Sequence, residues 1–122
     1  MPIRILIADD HAVVRSGLRA LLSSDSDIEV VGEAADGAET LHRVAMLRPD
    51  LVLLDITMPH ESGIRVAQRL KEAQPAVQVL FLTMHEDEGL LHEALRTGAA
   101  GYVIKRAEET EILRAIHAVS RG

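Results

Sequence analysis

Short apolar runs rich in β-branched residues occur at Ile3–Ala8, Ile28–Ala34, Leu51–Leu54, Val77–Leu82 and Gly101–Ile104, and each predicts a strand. Several are apolar almost throughout instead of alternating with polar residues, the pattern of strands covered on both faces in a parallel sheet. Between them the spacing turns helical. Val14, Leu18, Leu21 and Leu22 share one helical face, as do Leu41, Val44 and Ala45, then Gly63, Val66, Ala67 and Leu70. Leu91, Ala94 and Leu95 form a fourth stripe, and Ile112, Ile116 and Val119 a fifth. Pro49 and Pro75 fall between a helix and the next strand, and Gly98 stands where a left-handed cap would end the fourth helix. The order is βα repeated five times. Right-handed crossovers then place helices on both faces of the sheet, giving a single doubly wound α/β domain of three layers. No linker, low-complexity stretch or solenoid period interrupts it.

Composition narrows the functions. A chain of 122 residues, 48% apolar, is one domain's worth and can bury roughly two thirds of its unfolded surface. Thirteen Lys and Arg stand against 19 Asp and Glu, a formal charge of -6, and the arginines are spread along the chain. That balance argues against nucleic-acid binding by these residues. The absence of cysteine excludes disulfides and thiolate ligation and suits a reducing cytoplasm. Met1-Pro2-Ile3-Arg4 leads directly into a short apolar run, lacking a secretory core, and nothing approaches the ~18 apolar residues of a membrane span. A cytoplasmic protein without membrane contact is the expectation.

Asp9 and Asp10, Asp55, Thr83 and Lys105 each stand at the carboxyl end of an apolar run. Parallel strands deliver those ends to one edge, where ligands of open α/β sheets bind. Each residue alone has a plainer explanation. Asp9 and Asp10 suit a helix start, Asp55 a strand terminus, Thr83 a β-former and Lys105 a solvated side chain. Their meeting is harder to explain away: three carboxylates repel, and Lys105 as the only nearby cation leaves about two negative charges. A divalent cation with oxygen ligands would neutralise them, and Mg²⁺ is favoured over Ca²⁺ because few carboxylates plus retained waters suit its octahedral demand. With the metal present Asp55 becomes a nucleophile able to form an aspartyl phosphate. Lys105 and Thr83 would address the phosphoryl oxygens.

These residues resemble the receiver domains of response regulators of bacterial two-component systems, over essentially the whole chain. The resemblance is carried by Ile7-Ala8-Asp9-Asp10-His11, by Leu53-Leu54-Asp55-Ile56-Thr57-Met58-Pro59 with Gly63, by Leu82-Thr83-Met84, and by Gly98-Ala99-Ala100-Gly101-Tyr102-Val103-Ile104-Lys105. It implies a flavodoxin-like (βα)5 domain over residues 1–122 with strand order 2-1-3-4-5. By the same resemblance Asp55 is the phosphoacceptor, and Mg²⁺ is held by Asp10 directly, Asp9 mostly through water, Asp55, and the backbone carbonyl of Thr57. Thr83 and Lys105 would hold the phosphoryl group, and Tyr102 would move inward behind the threonine when the domain switches. The implied partner is a sensor histidine kinase, with a homodimer formed on phosphorylation. The segments Asp10-His11-Ala12-Val13-Val14-Arg15-Ser16-Gly17-Leu18 and Val30-Val31-Gly32-Glu33-Ala34 look most like the subfamily whose receivers precede a LuxR/NarL-type helix-turn-helix domain. DNA would then be reached only through that effector, which these residues do not include. Ser120-Arg121-Gly122 falls where a linker to it would begin, so a piece of a longer regulator is expected.

The chain departs from the family in places. His60-Glu61 replaces the glycine that often follows Met-Pro, which should make that loop less permissive. Arg106, not proline, follows Lys105, leaving a cis bond there open. Thr57 and His85 occupy positions that often set phosphoryl lifetime in the family, and an unchanged decay rate in His85→Ala would remove His85 from that role. His11 beside the acidic pair reads as a solvated residue opening a helix, not as a ligand. His85-Glu86-Asp87-Glu88 reads as an acidic first helical turn, and Leu90-Leu91 as core. The expected activity is a switch that catalyses only its own phosphorylation and slow dephosphorylation. An aspartyl-phosphate phosphatase is the enzyme alternative, but the second Asp that many such enzymes carry two residues after the nucleophile is here Thr57. A flavin or nucleotide binder would share the sheet, yet no dinucleotide fingerprint or Walker loop is present.

Overall fold

The computed structural model describes residues 2–58, 60–83, 88–104 and 109–121, with Glu88 and Glu109 described by backbone alone. Strands and helices alternate: β1 (Ile3–Ala8), α1 (Ala12–Ser23), β2 (Ile28–Ala34), α2 (Gly37–Leu47), β3 (Leu51–Asp55), α3 (Gly63–Ala73), β4 (Gln78–Thr83), α4 (Glu88–Leu95), β5 (Gly101–Ile104) and α5 (Glu109–Ser120). All the strand pairs are parallel, in the order β2-β1-β3-β4-β5. The chain reverses direction across the sheet between β1 and β3, which opens a crevice at their carboxyl ends.

Alternation along the strands divides the core in two. Ile5, Ile7, Leu51, Leu53, Leu80 and Leu82 face α1 and α5, where they meet Leu18, Leu22, Ile112 and Ile116. Leu6, Ala8, Val52, Leu54, Val79 and Phe81 face the other way, against Val44 of α2, Ile64, Val66, Ala67 and Leu70 of α3, and Leu91 and Ala94 of α4. β3, at the centre, is buried along its whole length. The edge strands are less buried, with Glu29 and Glu33 in β2 and Tyr102 in β5 at exposed or half-buried positions.

Two stripes are centred differently from the sequence expectation. On α2 the buried face holds Gly37, Thr40 and Val44 with Leu41 and Leu47 beside it, and Ala45 is exposed. At about 100° per residue, Ala45 falls well off the line joining Thr40 and Val44. On α4 the stripe runs through Leu90, Leu91 and Ala94, and Leu95 lies on its rim, 43% exposed.

Local chemistry fixes the helix ends. The Asp36 carboxylate accepts from Glu39 N–H (2.8 Å) and Glu39 accepts from Ala35 N–H (2.9 Å), a reciprocal cap on α2. Ser62 caps α3 through Arg65 N–H at 3.3 Å. Gly98, after α4, has φ of +91°, the left-handed conformation expected there. Arg48 adopts the same region at the end of α2, with φ of 47°.

Candidate functional site

Strand register sets the site. Ala8 pairs with Leu54 and Asp55 with Leu82, so Asp9, the next residue after Ala8, stands level with Asp55. Thr83 ends β4 one step further on, opposite Ile104 of β5. Asp9, Asp55 and Thr83 are all buried, and Asp10 sits at the rim with its side chain 30% exposed.

Backbone hydrogen bonds hold the acids in place. Asp9 N–H donates to Ala34 O (3.0 Å), extending the β1–β2 ladder past the strand, and Ile56 N–H donates to Leu82 O (3.1 Å), extending β3–β4 past Asp55. Each buried carboxylate then accepts the N–H two residues on: His11 N–H to Asp9 Oδ1 at 2.8 Å and Thr57 N–H to Asp55 Oδ1 at 3.0 Å. These are Asx turns, which bend the chain away from the sheet while pinning the acid that ends it. The turn after Asp55 is also gripped from α3. Gly63 N–H donates to Ile56 O at 2.6 Å. The approach is so close that a Cβ on residue 63 would clash with the Asp55 carbonyl oxygen and lie 2.8 Å from Ile56 Cα. Glycine at 63 is required for contact, since its φ is ordinary.

Asp9, Asp10, His11 and Asp55 each present a ligand atom, and these atoms all lie within 4.8 Å of one another. That spacing is compact enough for the carboxylates to share one hydrated divalent ion. The donor set of three carboxylates is the hard-oxygen chemistry such an ion requires. His11 opens α1 with its side chain 66% exposed, as a solvated residue there would be, and also brings its Nδ1 to 3.1 Å from Asp10 Oδ1 and 3.3 Å from Asp9 Oδ1. The signal that could have found it is its place at the N-cap of α1, where the Asx turn folds residue 11 back over Asp9. Arg15, to which sequence spacing assigns no role, donates from Nη1 to the Asp9 carbonyl at 2.7 Å.

Tyr102 is 42% exposed on β5, so it faces outward in this conformation. His60 has φ of 70°, which shows how the loop accommodates a residue where relatives often carry glycine. Lys105, His85, Met84, Pro59 and the Lys105-Arg106 bond lie outside the described residues.

A second cluster occupies the opposite edge of the sheet. His117 Nε2 lies 2.7 Å from Asp25 Oδ2, tying α5 to the turn between α1 and β2. An ionised carboxylate only accepts, so the proton is on Nε2. This bond, helped by the Asp27 N–H at 2.9 Å, holds the Asp25 carboxyl below its ordinary value of 3.8. Sequence spacing gave no hint of a partnership between residues so far apart in the chain.

Among the described residues no helix is long and apolar enough to cross a membrane. Comparison with known proteins agrees with the geometry. The sequence profile of the response regulator receiver domain matches residues 5–117. Over 120 residues the chain is 42% identical to the oxygen regulatory protein NreC of Staphylococcus haemolyticus and 43% identical to that of Staphylococcus aureus, covering 98% of this chain and 55% of each relative. It therefore spans about half the length of the curated relatives it matches. The signal receiver domain of the putative response regulator NarL from Mycobacterium tuberculosis superposes with a TM-score of 0.94 at 35% identity, covering 99% of this chain and 98% of that one. The isolated REC domain of RcsB from Salmonella enterica serovar Typhimurium, determined with the phosphomimetic BeF3-, gives 0.93 at 27% identity, covering 100% and 91%. With a parallel sheet of this order and an acidic crevice at the carboxyl ends of β1 and β3, the chain belongs to the response regulator receiver domains of two-component signalling.

Proposed function

We propose that Asp55 is the phosphoacceptor of this receiver, taking its phosphoryl group from the phosphohistidine of a sensor histidine kinase. The observation that carries this reading is the convergence of the Asp9, Asp10 and Asp55 carboxylates within 4.8 Å at one sheet edge, with Thr83 buried at the end of the adjoining strand. One Asp55 oxygen attacks phosphorus, and its new P–O bond forms as the P–N bond to the donor imidazole breaks. The imidazole leaves with the electron pair and takes a proton from water. No general base is needed, since the carboxylate is already ionised. Dephosphorylation is slow attack of water on the same phosphorus, returning the Asp55 carboxylate and inorganic phosphate.

Asp10, Asp55 and the Thr57 carbonyl would hold Mg²⁺, with Asp9 acting mainly through water, and the ion would neutralise charge on the transferring phosphoryl oxygens. The Thr83 hydroxyl and Lys105 hold the phosphoryl product, and Tyr102 turns inward from its exposed position as Thr83 reorients. Residues 1–122 make up the receiver of a longer cytoplasmic transcription regulator. Phosphorylation favours a homodimer, which positions a DNA-binding effector on the same polypeptide. The length of the NreC relatives, of which this chain covers 55%, supports a longer regulator, and a LuxR-family response regulator from Aurantimonas that is 34% identical with a TM-score of 0.96 supports the subfamily.

The test is intact mass after incubation with acetyl phosphate. One phosphate should add in the presence of Mg²⁺, and none with chelator or in Asp55→Asn. No adduct on the wild-type chain refutes the assignment, and repeated turnover of a phosphate ester would favour a phosphatase.

A further inference from the structure

We infer that Arg15, anchored by Glu33, is a positioning residue for the acidic pair; this rests on the metal-binding role proposed for Asp9 and Asp10. Arg15 lies one turn into α1, its N–H donating to His11 O at 3.0 Å. Its guanidinium reaches back to the loop it has just left, with Nη1 donating to the Asp9 carbonyl at 2.7 Å. Nε of the same group donates to Glu33 Oε1 on β2 at 3.1 Å, and the other Glu33 oxygen accepts from Arg19 Nη1 at 3.0 Å. Glu33 is thus clasped by two successive turns of α1. The Arg15 side chain is only 19% exposed, a setting in which a planar fork is held in one orientation.

The consequence falls on one peptide unit. Asp9 N–H is fixed by Ala34 O on β2, and Asp9 C=O by Arg15. That carbonyl and the N–H of Asp10 share a plane, so holding one fixes where the Asp10 Cα leaves the strand and narrows the positions its carboxylate can reach. From the helix side the loop is also held by His11, whose N–H donates to Asp9 Oδ1 at 2.8 Å and whose Nδ1 lies 3.1 Å from Asp10 Oδ1. The N-cap His11 makes no side-chain capping bond, and the first turn of α1 carries no acid. The two segments that resemble the helix-turn-helix subfamily, one containing Arg15 and the other Glu33, are therefore parts of a single clamp.

The sign of the effect separates this role from simple charge. Arg15 is a cation close to a cation site, so if only Coulomb forces acted, removing it would tighten Mg²⁺ binding. Positioning predicts the opposite. Groups that orient metal ligands typically contribute 10- to 100-fold in affinity, and loss of this clamp should fall near the lower figure. The experiment is a Mg²⁺ titration of the folded chain followed by amide NMR shifts, with thermal melting in parallel. Arg15→Met, which keeps the aliphatic stem, should bind Mg²⁺ about tenfold more weakly and phosphorylate more slowly from acetyl phosphate. Arg15→Lys, which can still donate to the Asp9 carbonyl, should recover part of the loss. A variant that melts lower but binds Mg²⁺ as tightly as wild type, or more tightly, overturns the inference and leaves Arg15 a structural residue. If Arg15→Met does not fold, the isosteric Glu33→Gln carries the test at about 1 M salt, where screening over ~3 Å removes long-range charge effects. Weaker binding supports the clamp and unchanged binding overturns it. Failure of the wild-type chain to bind Mg²⁺ would instead overturn the metal site itself.

Discussion

Replacing Gly63 with alanine tests whether close packing between α3 and β3 holds the turn that follows Asp55. The added Cβ would lie 2.8 Å from Ile56 Cα and 2.9 Å from the Asp55 carbonyl carbon, and would clash with the Asp55 carbonyl oxygen. Comfortable carbon–carbon contact begins near 3.5 Å, so backbone on one side must give by roughly 0.7 Å or more. Overpacking of this kind is worth about 1–3 kcal/mol, and stretching the 2.6 Å bond from Gly63 N–H to Ile56 O removes about 1 kcal/mol more. Alanine's higher helix propensity returns at most about 1 kcal/mol, and less at the first helical position. A net loss of about 1–4 kcal/mol is expected by urea unfolding, together with slower labelling by acetyl phosphate, since the residues that must move are Asp55 and its neighbour. Gly17 provides the contrast. It lies inside α1, and a Cβ there would meet nothing within 4 Å. Gly17→Ala should therefore stabilise the domain by about 0.5–1 kcal/mol and leave labelling unchanged. A Gly63→Ala protein as stable as wild type, with normal labelling, would refute the packing account of the acceptor turn.

Three further outcomes are expected. His60→Gly relieves the left-handed backbone at φ of 70° and should add about 1 kcal/mol, raising the melting temperature by roughly 3–5 °C; an unchanged melt would show no strain there. Asp36→Ala removes the cap on α2 and should lower stability by about 1 kcal/mol in the same urea assay. The depressed Asp25 carboxyl stabilises the fold at pH above its ordinary value of 3.8, and that contribution is lost as pH falls below this value through the folded one. In His117→Gln the Asp25 carboxyl should titrate closer to 3.8 by carbon NMR, and an identical titration in both proteins would dismiss the histidine as the cause.

Much of this was legible in the sequence because the fold is built from buried parallel strands. Runs such as Leu51–Leu54 have no other plausible location, and the acid that follows such a run must emerge at the sheet edge. The arrival of Asp9, Asp10 and Asp55 at one sheet edge follows from that placement, whereas the strand order that makes β1 and β3 neighbours comes from the resemblance to receiver domains. Contacts that depend on how a loop folds back were not legible. His11 stands next to the acidic pair in sequence, but that its ring folds onto the carboxylates depends on the Asx turn that reverses the chain over Asp9. Arg15 to Glu33 joins α1 to β2, and His117 to Asp25 joins α5 to the turn before β2, contacts that no periodicity marks. The misplacement of Ala45 and Leu95 has a simpler origin: an apolar residue 100° from the centre of a short helix's stripe counts toward a pattern but lies on its rim.

The central claim is that phosphate enters on Asp55 and not on the neighbouring acids. Borohydride reduces an aspartyl phosphate to homoserine, so peptide mapping of the chain after acetyl phosphate, Mg²⁺ and borohydride identifies the residue directly. Homoserine at position 55, absent when Mg²⁺ is chelated, is the predicted result. Homoserine at position 9 or 10, or an unmodified Asp55 in a protein that has gained phosphate, would contradict it.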